Sequence, residues 1–330
     1  MKKTEKMIPR SHAIFIIFTL FAMLLSSCGK KTAEVSVRLK WTTQTQFAGI
    51  FTADEQGFYN DENLKVTIEP VDFEQMLSVD KVVEGKNTFG IGAADEVLVA
   101  RSNGAPVRAI AVIFRISPQV YMSIGDIKVS KPEDLIGKKV GIGQGSGFWT
   151  FNAMINKAGI DPSLITVEDP KTFDTLECAQ RYDVCNAYST DSIVKANMQG
   201  IPNSAIWPGD YGVPFYADVV FTTDDFIAKN PDVVERFLRA TIRGWQTAVE
   251  NPETATDATI AFDPTLERDF QLQSLKASVP LVDTGTLPIG VMEPEMWQQM
   301  YDILLAQKVI TTPFDVSSAY TSEFMDKINK

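Results

Sequence analysis

From Val35 onward, short runs rich in β-branched residues alternate with helix-patterned stretches, and the series begins a second time around Lys128. Such an alternation buries its apolar faces only when largely parallel strands form sheets covered by helices, so the fold class is α/β. In the first series the pattern predicts strands over 35–40, 64–68, 88–92, 107–114 and 119–124. Helices fall over 47–57, stopped by Gly57, over 74–84, and over 95–101 with Asp95 as N-cap. The second series predicts a short helix at 131–135, strands over 139–143 and 182–188, and helices over 148–158 and 191–198. After a strand at 219–223 the chain turns mostly helical, over 231–250, 266–279, 294–307 and 317–328. No tandem repeat of fixed period interrupts this order.

Two series of roughly 90 residues plus a helical tail predict two lobes of ordinary domain size. The first is expected to comprise residues 35–121 and 220–330, the second residues 122–219. No Pro/Gly/Ser linker separates them. The chain is therefore expected to cross between lobes inside regular structure, near 119–124 and 217–223, and two such crossings form a hinge.

The N-terminus has a different logic. Lys2, Lys3 and Lys6 precede an apolar run over 13–25, which closes on Leu25-Ser-Ser-Cys28-Gly29. A helix of that run spans about 20 Å, short of the roughly 30 Å of a bilayer core, so it reads as a signal segment rather than a permanent span. Leu-Ser-Ser-Cys resembles a bacterial lipobox. The expectation is a lipoprotein signal peptide over 1–27, acylation of Cys28, a lipidated tether over 28–34, and an extracytoplasmic protein anchored to the bacterial cell membrane.

The formal charge is −11. Residues 1–27 carry four basic side chains against Glu5, so their loss takes the charge down by three to −14. A nucleic-acid partner is thereby excluded, because phosphate binding rewards positive surfaces. The single histidine, His12, lies in the same segment. Without imidazole, His-activated Ser or Cys nucleophiles and most catalytic zinc or non-haem iron sites are excluded, and neither a metal site nor a cofactor is expected. Cys178 and Cys185, with six residues between them, are open to two readings, a disulfide or a pair of buried thiols.

Ligands of open α/β sheets bind beyond the C-terminal strand ends. Trp41, Gln46 and Phe47 follow the first strand there, unless the two rings are interior packing. Asp95 and Glu96 follow the glycine-lightened strand 88–92 and could accept hydrogen bonds from ring nitrogens or hydroxyls; the plainer reading is a helix cap. The run Gly141-Ile-Gly-Gln-Gly145-Ser146-Gly-Phe-Trp149 fails the dinucleotide fingerprint in either register. Its backbone N–H groups still suit an acceptor oxygen, and Trp149 offers a flat face. In the second lobe Tyr188 and Asp191 tip a strand, and Tyr216 and Asp218 sit in an aromatic, proline-broken loop that either rims a cleft or covers a core edge.

Lys40-Trp41, Gln46-Phe47-Ala-Gly-Ile50, Phe89-Gly-Ile-Gly-Ala-Ala-Asp95-Glu96, Pro132-Glu-Asp-Leu-Ile-Gly137, Tyr211-Gly-Val-Pro-Phe-Tyr216-Ala-Asp218 and Asn230-Pro231 to Gly244-Trp245 stand in an order that resembles a known group. That group is the extracytoplasmic solute-binding proteins for thiamine pyrimidine precursors and riboflavin, and the resemblance covers residues 35–330. It implies a type II periplasmic-binding-protein fold, with two lobes closing on a small ligand that passes to the transmembrane subunits of an ABC permease. It also implies that Trp41, Asp95, residues 143–149, Tyr188 and Tyr216 line the cleft. The same superfamily includes a eukaryotic pyrimidine synthase with an active-site histidine and a cysteine-rich motif, and this chain departs from both. The expected function is capture, without catalysis, of a planar nitrogen heterocycle such as a thiamine pyrimidine precursor or riboflavin. A sulfonate, nitrate or taurine receptor is the alternative, and it wants a cation at the cleft, where only Arg115 and Arg181 are on offer. A carboxylate-dependent enzyme working through Asp95, Glu96 or Asp191 is the more distant one.

Overall fold

The computed structural model describes residues 31–71 and 78–330. The leader over 1–27, His12 and Cys28 lie outside the described residues, as does 74–77 of the helix expected over 74–84. Among the described residues no helix is long and apolar enough to cross a membrane.

Ten strands are present among the described residues: β1 (Ala33–Arg38), β2 (Leu64–Glu69), β3 (Phe89–Gly92), β4 (Val107–Val112), β5 (Gln119–Ile124), β6 (Lys139–Gly141), β7 (Thr166–Glu168), β8 (Val184–Tyr188), β9 (Asn203–Ile206) and β10 (Val219–Thr223). They form two five-stranded sheets, ordered β2-β1-β3-β10-β4 and β7-β6-β8-β5-β9. The two orders are the same arrangement. In each, three strands run parallel, and the fourth, β10 or β5, pairs antiparallel with its neighbours on both sides. The antiparallel strand is in each case the first one laid down after the chain changes sheet.

The chain passes between sheets through residues 113–118 and 207–218, beside the strands where the sequence places its crossings. These segments run together: the N–H groups of Ile113 and Phe114 donate to Asp218 O at 2.7 and 3.3 Å, and Ala217 N–H to Phe114 O at 3.1 Å. Strand β5 lies whole in the second sheet, on both sides of the 121/122 boundary drawn from sequence.

The helix Pro231–Glu250 organises the first core. Pro231 opens it where a missing N–H costs nothing, Arg236 pairs with Asp232 four residues earlier at 3.0 Å, and Val234, Phe237, Leu238 and Trp245 are buried on one face. It crosses the helix Ala48–Glu55 closely enough that a Cβ on Gly49 would stand 2.2 Å from the Trp245 ring, and one on Gly244 2.0 Å from Gly49 O. The helix Pro252–Phe262 has no clear apolar period in sequence. Its threonines 256 and 259 bury their hydroxyls by bonding the carbonyls of Pro252 and Ala255 at 2.8 and 2.9 Å.

Of the two readings for the cysteines, the structure has the disulfide Cys178–Cys185, with Cα atoms 6.2 Å apart and both residues buried.

Candidate functional site

The C-terminal ends of the parallel strands of both sheets meet along one seam, the line of the expected ligand groove, and three contacts across it show which residues meet there. Ser146 Oγ, at the start of the helix Ser146–Lys157 on the second sheet, donates to Asp95 Oδ2 at 2.5 Å. Lys40 Nζ, just past β1, donates to Tyr188 OH at 3.1 Å, at the end of β8. Trp41 meets Phe173 edge to face, with ring centroids 5.0 Å apart.

Asp95 is the chemical centre of the groove. It stands second in the helix Ala94–Ser102, so it is not the N-cap expected from sequence: that place belongs to Ala93, whose N–H donates to Glu96 Oε2 at 2.9 Å. Two residues past the cap, the Asp95 carboxyl faces the opposite sheet with Oδ2, while Oδ1 accepts the Glu96 N–H at 3.0 Å. The residue is 1% exposed. Burial, then the neighbouring Glu96 carboxylate, pushes its pKa up to about 6, against the pull of Ser146 and Lys40. Glu96 therefore serves as the cap and as a charge neighbour.

The loop that presents Ser146 needs its glycines. Gly145 has φ +108°, in the region that disfavours side chains, and a Cβ on Gly147 would stand 2.7 Å from Asn186 Nδ2 on β8. Tyr121 OH, from β5, donates to Gly147 O at 2.8 Å and fixes the first helical turn. Trp149, one turn on, is half-buried against the core that joins Phe151 and Val140.

Lys40 was not singled out by sequence reasoning, yet it is a buried cation at the floor of the groove, its side chain 15% exposed. It pairs with Asp218 Oδ1 at 2.9 Å. Burial works against its charge, but Asp218, Tyr188 and Glu96 outweigh that and hold its pKa well above the ordinary lysine value. The second Asp218 oxygen accepts from Gln46 Nε2 at 2.9 Å. Asp218 and Gln46 thus anchor Lys40 beneath the groove. The signal that could have found Lys40 was its position, immediately before Trp41 at a strand end.

Two expected cleft residues belong to the interior. Phe47 is 1% exposed and sits in the first core cluster. Tyr216 is fully buried, 6.2 Å from the Trp297 ring, and its hydroxyl accepts the Glu293 N–H at 3.1 Å, fastening the start of the helix Pro294–Ala306. Asp191, three residues past Tyr188, lines a cavity of roughly 240 Å³ with Phe173 and Lys195.

The family described as NMT1/THI5-like matches residues 44–255. The chain belongs to the NMT1/THI5-like family. Within reach of this family member are the riboflavin-binding protein RibY of Chloroflexus aurantiacus, 24% identical over 88% of this chain and 86% of that protein, and the formylaminopyrimidine-binding protein of Halalkalibacterium halodurans, 24% identical over 93% and 98%. A 4-amino-5-hydroxymethyl-2-methylpyrimidine phosphate synthase of Legionella pneumophila is 23% identical over 89% and 92%. Among solved structures, the periplasmic aliphatic sulphonate binding protein SsuA of Escherichia coli superposes with a TM-score of 0.65 at 12% identity, covering 87% of this chain and 91% of that one. The NMT1/THI5-like chain accordingly has the periplasmic-binding-protein fold that the resemblance implied.

Proposed function

We propose that this protein is the extracytoplasmic, membrane-anchored solute receptor of an ABC importer, and that it captures a planar nitrogen heterocycle, a thiamine pyrimidine precursor or riboflavin, without altering it. Residues 35–121 with 220–330 act as one lobe and residues 122–219 as the other, Cys28 carries the lipid, and the ligand-loaded, closed form is what the permease subunits recognise. The observation that carries this reading is the buried Asp95 carboxyl facing Ser146 of the opposite sheet. With a pKa near 6 it is largely ionised at neutral pH and accepts hydrogen bonds. Aminopyrimidine and flavin edges carry an N–H that such a carboxylate accepts. Trp41, just past the end of β1, and Tyr188, at the end of β8, supply flat faces.

The sulfonate alternative loses its cations. Arg115 spends its guanidinium on Glu293 Oε2 at 3.3 Å and on the carbonyls of Pro288 and Val291 at 3.2 and 2.8 Å. Arg181 donates to Pro170 O. Lys40 is neutralised by Asp218, and an anion would face Asp95, a like-charge contact that costs several kcal/mol. The enzyme alternative draws on the synthases in the same family. Residues 28–330 hold no histidine, and two of their three cysteines, Cys178 and Cys185, form the disulfide.

Mass spectrometry of the small molecule that co-purifies with residues 28–330 tests the proposal. A pyrimidine or flavin of unchanged mass after incubation supports it. A sulfonate, or a heterocycle converted to product, overturns it.

A further inference from the structure

The polar cavity lined by Asp191 does not include Asp95, the carboxyl assigned to the heterocycle ring. Its walls are Phe173, Asp174, Thr175, Leu176, Asp191, Ser192 and Lys195, and its volume is roughly 240 Å³. It adjoins the solute groove through Phe173, a ring 67% exposed that reaches Trp41 of the first sheet. Most of its polar groups already satisfy one another: Lys195 Nζ pairs with Asp174 Oδ2 at 2.8 Å, and the Thr175 and Ser192 hydroxyls bond at 2.8 Å. Asp191 receives a long donation from Ser192 Oγ at 3.4 Å, which leaves most of its acceptor capacity to spare. Burial, opposed by Lys195, lifts its pKa, as for a carboxyl short of donors. Two carboxylates against one ammonium disfavour an anionic guest and favour a hydrogen-bond donor.

We propose that this cavity is a second subsite of the solute cleft, which receives a hydroxyl- or amine-bearing substituent carried by the bound heterocycle and hydrogen-bonds it to Asp191. The inference rests on the heterocycle reading above. It makes Asp191 a specificity residue, one that separates substituted ligands from the bare ring, while Asp95 reads the ring itself. Phe173, packed against Trp41, forms the partition between the two subsites.

Calorimetric titration with two pairs of probes tests this. One pair is 4-amino-5-hydroxymethyl-2-methylpyrimidine and 4-amino-2,5-dimethylpyrimidine; the other is riboflavin and lumiflavin, the same isoalloxazine ring with a methyl in place of the hydroxylated chain. The wild-type protein is expected to bind the hydroxylated member of at least one pair about tenfold more tightly. Asp191→Asn should remove most of that preference and leave the unsubstituted member within about twofold. Leu176→Phe, which narrows the cavity from its wall, should do the same without touching the carboxyl. Wild-type binding of both members with equal affinity, or equal weakening of both by Asp191→Asn and by Leu176→Phe, overturns the subsite and leaves the heterocycle reading standing. If the wild-type protein binds neither pair, the heterocycle reading fails and the subsite falls with it.

Discussion

Ser146 and Asp95 come from different sheets, 51 residues apart in the chain, and Oγ donates to Oδ2 at 2.5 Å. The contact holds a carboxyl with a raised pKa at the junction of the two halves, and this sets a pH dependence of stability. The folded protein keeps the Asp95 proton where the unfolded chain has released it, so the contribution is complete below the ordinary value of 3.8 and is lost as pH rises through about 6. The difference is worth roughly 3 kcal/mol. Asp95→Asn carries no charge at either end, so urea midpoints of the variant, relative to wild type, should climb between pH 4 and pH 7. Parallel curves would contradict the buried-carboxyl assignment.

Lys40 and Asp218 form a buried pair, and removing one partner strands the other. Lys40→Met leaves Asp218 unpaired among Gln46 and the crossing segment, with an expected loss of about 3–5 kcal/mol in chemical denaturation. The double variant Lys40→Met, Asp218→Asn should recover a large part of that loss. If the single and double variants are equally destabilised, the pair is not the source.

The crossing of the helices Ala48–Glu55 and Pro231–Glu250 depends on two missing side chains. Gly49→Ala places a methyl 2.2 Å from the Trp245 ring, which is buried and cannot swing away. Destabilisation of about 1–3 kcal/mol is expected, with Trp245 fluorescence altered in the folded state. A neutral effect on both would show that the two helices are free to separate.

Reducing the disulfide Cys178–Cys185 frees the turn between the helix Thr175–Cys178 and β8. By the chain-entropy relation a loop of this length contributes about 2.5 kcal/mol, so Cys178→Ala/Cys185→Ala should lower the thermal midpoint without unfolding the protein at 25 °C. An unchanged midpoint would mean that the segment is held by other contacts.

Much of this was legible in the chain. Alternation of strand and helix patterns is local, and it marks all five strands of the first sheet, β5, β6 and β8 of the second, and most helices, but passes over the edge strands β7 and β9, only three and four residues long. Trp41, Asp95, Ser146 and Tyr188 were legible because they follow strands whose C-terminal ends face the groove. Lys40 shares that position at a strand end, but its burial as a cation depends on Asp218, 178 residues later, a partner that no local pattern reports. Phe47 and Tyr216 could not be sorted from Trp41 by residue type, since an aromatic ring suits a cleft wall and a core equally well. Phe173 stands in a polar stretch of charged and hydroxyl residues, where only the contact with Trp41 gives it a role. Asp95 stands two residues past the cap position that sequence suggests for it, and there its carboxyl reaches Ser146 with one oxygen and the Glu96 N–H with the other.

The most direct measurement is calorimetric titration of residues 28–330 with a 4-aminopyrimidine, a flavin and taurine, in wild type and in Asp95→Asn. The account predicts saturable binding of a heterocycle, weakening of at least about tenfold in Asp95→Asn, and no heat of binding from taurine. Saturable taurine binding that survives the substitution, with neither heterocycle bound, would contradict it.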